Sequence, residues 1–200
     1  MHERGFTMVE VLVVITITAI LLALAIPSFQ TMIRNNRISS ASNSLLAALD
    51  LARSEAVRRS TVVTVCRSTN PEVANPGCSS AANGPYAAED WASGWIIFAK
   101  AAGNANNGAF EANDELLLRQ ASFMAPAQER LIIESTLAGN QWRAYGPRAL
   151  NAGGVPGMIF FIDYRDTAVA VRTNLARCME LTFTGRPSVA RVVANACPAA

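Results

Sequence analysis

Phe6-Thr7-Met8-Val9-Glu10-Val11-Leu12-Val13-Val14-Ile15-Thr16-Ile17-Thr18-Ala19-Ile20-Leu21-Leu22-Ala23-Leu24-Ala25-Ile26-Pro27 is the stretch whose reading decides the fold. From Val11 to Ile26 it runs sixteen residues without a charge, and back to Phe6 it is interrupted only by Glu10. About twenty apolar residues are what a helix needs to cross a bilayer core. The rest of the chain has the composition of an ordinary soluble domain, so the segment has to be explained by itself.

A secretory signal peptide accounts for the small-x-small triplet Ala23-Leu24-Ala25. It does not account for the short, neutral opening Met1-His2-Glu3-Arg4, or for an acid where the apolar run should be clean. A plain membrane anchor leaves Glu10 unexplained too, since a carboxylate within a membrane helix costs at least ~2.5 kcal/mol and normally marks function. A third reading accounts for each feature. A polar leader ends in Gly5, Phe6-Thr7-Met8-Val9-Glu10 follows, and the apolar helix comes behind. This resembles the leader of type IV pilins and type II secretion pseudopilins. The resemblance implies cleavage by prepilin peptidase after Gly5, N-methylation of the new terminus Phe6, and a subunit-docking role for Glu10. The physics agrees with that role. A carboxylate alone in lipid is unfavourable, and beside the α-amine of a neighbouring subunit it is neutralised.

Beyond Pro27 the helical period continues. Ile38, Ala41, Leu45, Leu49, Ala52 and Ala56 recur at spacings of three and four, with Arg34, Arg37, Asp50, Arg53, Arg58 and Arg59 free to occupy other faces. Pro27 is therefore expected to kink a long helix rather than end it. The period predicts one helix from about residue 7 to 57, ~75 Å long at 1.5 Å per residue. Its first half belongs to membrane or filament core, and its second half packs a Leu/Ala stripe on a globular domain.

Two hundred residues, 51% apolar and 16% charged, can bury one core, which excludes wholesale disorder. A net charge of +2 is too small for a general nucleic-acid-coating protein. The single histidine, His2, argues against histidine catalysis and multi-histidine zinc sites. Sixteen of the seventeen basic residues are arginine, Lys100 being the exception. No nucleophile–base pair, metal cluster or phosphate loop is written in the chain, so neither an enzyme nor a cofactor is expected. Charge is segregated: residues 6–71 carry a net +3, 72–142 a net −5 and 143–200 a net +4.

After Arg59 the period becomes strand-like. Thr61-Val62-Val63-Thr64-Val65-Cys66 is rich in β-branched residues, and further strands are expected at 94–99, 115–119, 131–135, 158–163, 167–172, 179–183 and 189–194. Turns are read at Asn83-Gly84-Pro85, Asn106-Asn107-Gly108, Gly153-Gly154 and Gly185-Arg186-Pro187. A helix followed by a run of short strands is an α+β fold: a long N-terminal helix on a mainly antiparallel sheet, as in type IV pilins. The expected organisation is a leader at 1–5, a membrane or filament-core helix at 6–28, its amphipathic half at 29–58 and a β-rich domain at 59–200.

The block Asp90-Trp91-Ala92-Ser93-Gly94-Trp95-Ile96-Ile97-Phe98 narrows the resemblance. It is similar to the W-x-x-G-W-x-x-F block of the GspH/FimT family of minor pilins. The Asn104–Gly108 loop and Asp114-Glu115-Leu116-Leu117-Leu118-Arg119 follow in that family's order. Core packing is the expected role of Trp91 and Trp95, because a base-stacking platform needs basic neighbours and Glu89 and Asp90 are acidic. A calcium loop wants acids at alternating positions. The loop after Asn104 offers mostly Asn and Ala there, so a solvated turn and no metal are expected.

The resemblance places the domain in the oxidising periplasm, where four cysteines allow three pairings. The sequential pairing, Cys66–Cys78 and Cys178–Cys197, is expected over the others and over free thiols. Each bond closes a short loop and contributes ~3 kcal/mol. Gly185-Arg186-Pro187-Ser188 partly matches the G-R-x-R motif through which FimT-type proteins of natural transformation bind DNA. Ser188 stands where the second arginine belongs. Arg186, with Arg191, Arg177 and Arg172 close in sequence, is the candidate contact for double-stranded DNA, gripping phosphates without reading sequence.

The family resemblance thus implies a FimT/FimU-type minor pilin. Such a protein sits in the inner membrane as a single-pass chain with its globular domain in the periplasm, and then in the pilus. Its expected partners are prepilin peptidase and other minor and major pilins, and its expected work is to prime or cap pilus assembly. A DNA receptor for uptake and a GspH-type pseudopilin of type II secretion are the alternatives.

Overall fold

The computed structural model describes residues 7–79, 81, 90–105, 107–123, 130–135, 142–154, 159–165, 175–182 and 184–192. The chain divides into two compact units, Met1–Asn36 and Arg37–Ala200.

Helix α1 runs without interruption from Met8 to Arg59, with Pro27 inside it. Thr7 starts it, its hydroxyl accepting the Glu10 amide at 3.3 Å and its carbonyl the Val11 amide. Proline cannot donate to the carbonyl four residues back, and nothing else in the pattern opposes helix there. Ser60 ends it with a left-handed backbone (φ 51°). The Ser60 amide bonds Val57 O and the Thr61 amide bonds Ala56 O, the paired bonds of a Schellman cap.

The stripe read from the sequence is the buried face. Ile38, Ala41, Leu45, Leu49, Ala52 and Ala56 are buried, together with Ser42 and Ala48. Ser42 is tolerated there because its hydroxyl donates to Ile38 O at 2.8 Å.

Among the described residues nine strands follow, all paired antiparallel: β1 Val63–Arg67, β2 Trp95–Ala99, β3 Glu115–Gln120, β4 Arg130–Ser135, β5 Trp142–Tyr145, β6 Asn151–Gly154, β7 Ile159–Arg165, β8 Arg177–Leu181 and β9 Pro187–Arg191. They form two sheets, ordered β3-β2-β1-β5-β6 and β4-β7-β8-β9. One core joins them. Val63 and Val65 of β1, Trp95, Ile97 and Ala99 of β2, Leu131 and Ile133 of β4, and Met179 and Leu181 of β8 pack with the α1 stripe. The alternate residues Cys66, Ile96 and Phe98 form a second, smaller core on the far face of the first sheet. With both faces covered, β2 reads as the unbroken apolar run Trp-Ile-Ile-Phe-Ala rather than as an alternation.

Three strands differ from the sequence expectation. β5 was not anticipated, being only four residues long. Gly153-Gly154, read as a turn, lies in β6, where the glycines face Ala144 and Arg143 across the ladder. Pro187, read in the turn, opens edge strand β9, where its missing N–H costs no ladder bond. The strand expected at 167–172 and the turn expected at Asn83-Gly84-Pro85 lie outside the described residues.

Candidate functional site

The first part of α1 presents its apolar side chains outward. Leu12, Ile15, Leu21 and Leu24 are each more than 60% exposed, as no folded domain would leave them in water. Thr16 and Thr18 return their hydroxyls to Leu12 O (2.8 Å) and Val14 O (2.7 Å), so their polar groups are satisfied within the helix. By length and composition this is a helix able to cross a membrane. Glu10 sits in its first turn, exposed. Gly5 and Phe6 lie outside the described residues.

The tryptophan block is structural. Asp90 accepts the Ala92 amide (2.9 Å) and the Ile133 amide (3.0 Å) on one carboxylate oxygen, capping the single 3-10 turn Trp91–Ser93 and tying it to β4. Trp91 meets Phe160 edge-on with ring centroids 5.1 Å apart, and Trp95 lies 5.6 Å from Phe123. Both indoles are fully buried, so they cannot serve as a stacking platform. Gly94 turns the chain between them at φ 118°, where a Cβ would stand 2.6 Å from Gln120 O. Arg67 at the end of β1, also fully buried, donates to Asp90 O, Ser79 O and Ala81 O at 2.8–2.9 Å. Cys66 and Cys78 are joined by a disulfide. Cys178 is also disulfide-bonded; its expected partner Cys197 lies outside the described residues.

The candidate DNA-contact arginines are only partly brought together. Arg177 and Arg191 face each other across β8 and β9, while Arg186 lies at the turn, about 16 Å along the strand from Arg191. Arg186 and Arg191 are exposed, and Arg177 is half-buried with a bond to Leu175 O. Burial, and then the charge of Arg191, lowers the Arg177 pKa. Thr182 braces the turn: its hydroxyl donates to Arg186 O and accepts the Arg186 amide, and its carbonyl accepts the Gly185 amide. Ser188 stands opposite Glu180, so an acid borders the position where a second motif arginine would be. Arg172 lies outside the described residues.

The loop after β2, expected to be a solvated turn, is ordered around Lys100, whose side chain is 3% exposed. Its ammonium donates to Asn107 Oδ1 (3.1 Å), Ala109 O (2.7 Å), Glu111 Oε2 (3.0 Å) and Asp114 Oδ2 (3.1 Å). The Asn107 amide and then Lys100 hold the Glu111 carboxyl below its ordinary pKa. Burial works to raise that of Asp114, but bonds from the Ala101 and Glu111 amides, Asn104 and Lys100 outweigh it and lower it. No group of three or more His, Cys, Asp or Glu placed to hold a metal occurs among the described residues.

Residues 41–141 match the family model of the type II transport protein GspH. The chain belongs to the GspH family. The match runs from the buried half of α1 through the tryptophan block, the Lys100 loop and β4. Residues 1–26 match the prokaryotic N-terminal methylation motif, which supports membrane anchoring by the apolar helix. This GspH-family chain is thus a minor type IV pilin or pseudopilin by family. Two solved structures resemble it, both of the type IV minor pilin FimU of Pseudomonas aeruginosa PAO1. One, in space group P21, is 19% identical with a TM-score of 0.48 and covers 78% of this chain and 89% of its own. The other, in P65, is 18% identical with a TM-score of 0.46 and covers 76% and 91%. No curated protein matches the sequence.

For this GspH-family domain, sequence reasoning missed Arg67 and Lys100 as organising residues. A charged side chain written between apolar ones reads as surface, and its burial becomes visible only once its carbonyl and carboxylate partners are assembled around it. The β8–β9 hairpin lies beyond the matched residues, so its arginines draw no support from the family match.

Proposed function

We propose that this chain is a minor type IV pilin that helps prime or cap pilus assembly in complex with other minor pilins. Prepilin peptidase cleaves it after Gly5, Phe6 becomes the methylated terminus, and Pro27 lets the helix bend between its two environments. It waits in the inner membrane with its globular domain in the periplasm. Glu10 favours exit into the filament because a neighbouring α-amine there neutralises it. The chain works by docking, with no catalysis and no cofactor. The observation that carries the reading is the change of exposure along one helix. The part within the methylation motif is apolar and bare, while the part after Arg37 buries its stripe in its own domain.

The test is a count of surface pili in a strain lacking the protein, with wild-type or Glu10→Ala copies restored. Loss of pili that wild type restores and Glu10→Ala does not supports priming. Normal pilus number in the deletion strain rejects it. The name of the matched family favours a second reading, a pseudopilin of type II secretion. Secretion failing with pilus number unchanged would select it.

A third reading, a receptor for double-stranded DNA, draws on the Arg177–Arg191 pair and exposed Arg186 on one hairpin. It predicts a salt-dependent gel shift that Arg186→Ala weakens. Binding unaffected by that change removes Arg186 from the site.

A further inference from the structure

We propose that the Lys100 ammonium is the resident structural cation of the 101–114 loop, occupying an oxygen cage that would otherwise need a divalent metal. Lys100 is the only lysine in the chain, and it is placed at the end of β2, where the backbone turns into the loop. Four oxygens converge on it: one side-chain amide, one backbone carbonyl and two carboxylates, at 2.7–3.1 Å. That donor set, all oxygen with two negative charges, is the set hard divalent cations select. An ammonium has three protons, one fewer than the oxygens it faces, whereas a metal ion would engage all four.

The cage is held in shape by bonds that do not involve the ammonium. Asp114 Oδ1 accepts the Ala101 amide and Asn104 Nδ2, and Asp114 Oδ2 accepts the Glu111 amide. Glu111 Oε1 accepts Asn107 Nδ2, and Asn107 Oδ1 accepts the Ala109 amide. The loop therefore keeps its oxygens aimed inward by its own backbone and side chains, and the cation neutralises what they bring together. Phe98 lies under the ammonium, its ring centroid 5.4 Å from Nζ, a further contact suited to a cation. A tethered cation cannot be stripped by a chelator, so the wild-type loop folds without metal.

Thermal unfolding of the full chain in detergent micelles tests this, for wild type and Lys100→Ala, in EDTA and in millimolar calcium chloride. Alanine leaves room for an ion and its waters. The wild-type midpoint is expected to be the same in both solutions. Lys100→Ala is expected to unfold roughly 5–10 °C lower in EDTA. Calcium should restore most of that loss, half-effective at about 0.1–1 mM. If Lys100→Ala does not fold in EDTA, refolding it in calcium chloride decides the matter: recovery supports the proposal and failure to recover overturns it. A variant as stable as wild type without metal overturns it, as does one that is weakened and indifferent to calcium. A wild-type protein that calcium stabilises also overturns it.

Discussion

Gly185, in the turn between β8 and β9, packs against the ring of Tyr145 on β5, so close that a Cβ would stand 2.8 Å from Cε1. The backbone there is left-handed (φ 79°) and the glycine is buried, while its neighbour Arg186 is exposed. β5 belongs to one sheet and β8 and β9 to the other, so this contact sets where the hairpin of one sheet meets the other.

Gly185→Ala should therefore cost about 2 kcal/mol, the left-handed backbone alone accounting for 1–2. It should also move the turn that carries Arg186. Urea unfolding of the full chain in micelles measures the first effect. A loss under about 0.5 kcal/mol would show that the Tyr145 contact does not constrain the turn.

Arg67→Met should be among the more damaging single changes. It removes the donor to three carbonyls, those of Asp90, Ser79 and Ala81, at a fully buried position. The orphaned Asp90 carbonyl, at a buried residue, costs about 1–3 kcal/mol, the Ser79 and Ala81 carbonyls are partly open to water and cost less, and removal of the buried charge offsets part of the total, so a net loss of about 2 kcal/mol is expected. Hydrogen exchange should open first at the 79–81 segment and the turn after Asp90. Uniform protection in the variant would contradict this.

Breaking the Cys66–Cys78 bond by paired alanine substitution should cost about 3 kcal/mol, from a loop of sequence separation 12. Cys66 also belongs to the second core with Ile96 and Phe98, so alanine keeps that face apolar. A denaturation midpoint unchanged by the double substitution would assign no stabilising role to the bond.

Stability should fall at both ends of the pH scale, by different groups. Hydrogen bonds from Arg58 and then Arg59 lower the Glu55 carboxyl to about 2 from 4.5, and those of Glu111 and Asp114 are lowered as well. Carboxyls with depressed native pKa values stabilise above their unfolded values, so that contribution is lost as pH falls from about 4.5 toward about 2. Burial raises the Tyr145 phenol to about 12 from 10.0. Its contribution is complete below pH 10.0 and is lost as pH rises toward about 12. Unfolding midpoints across pH check both limbs. Glu55→Gln should flatten the acid limb, and an acid limb unchanged by it would remove Glu55 as a cause.

Much of this architecture is local and so was legible in the chain. Sixteen uncharged residues behind Gly5-Phe6, Thr7 before Met8, and a three-four repeat from Ile38 to Ala56 specify a helix and its buried face without reference to the rest of the molecule. The β-branched run of β1 and the apolar run of β2 specify strands in the same way, since side-chain shape and period act within a few residues. Tertiary structure decided what depends on partners far along the chain. β5 and β6 are strands because β1 and each other complete their ladders, which four residues of sequence, one pair of them Gly-Gly, cannot announce. The division into two sheets, the burial of Arg67 and Lys100, and the separation of Arg186 from the Arg177–Arg191 pair are of the same kind. Arg67 and Lys100 are buried where oxygens converge on them, and that convergence is a property of the folded chain, not of any segment.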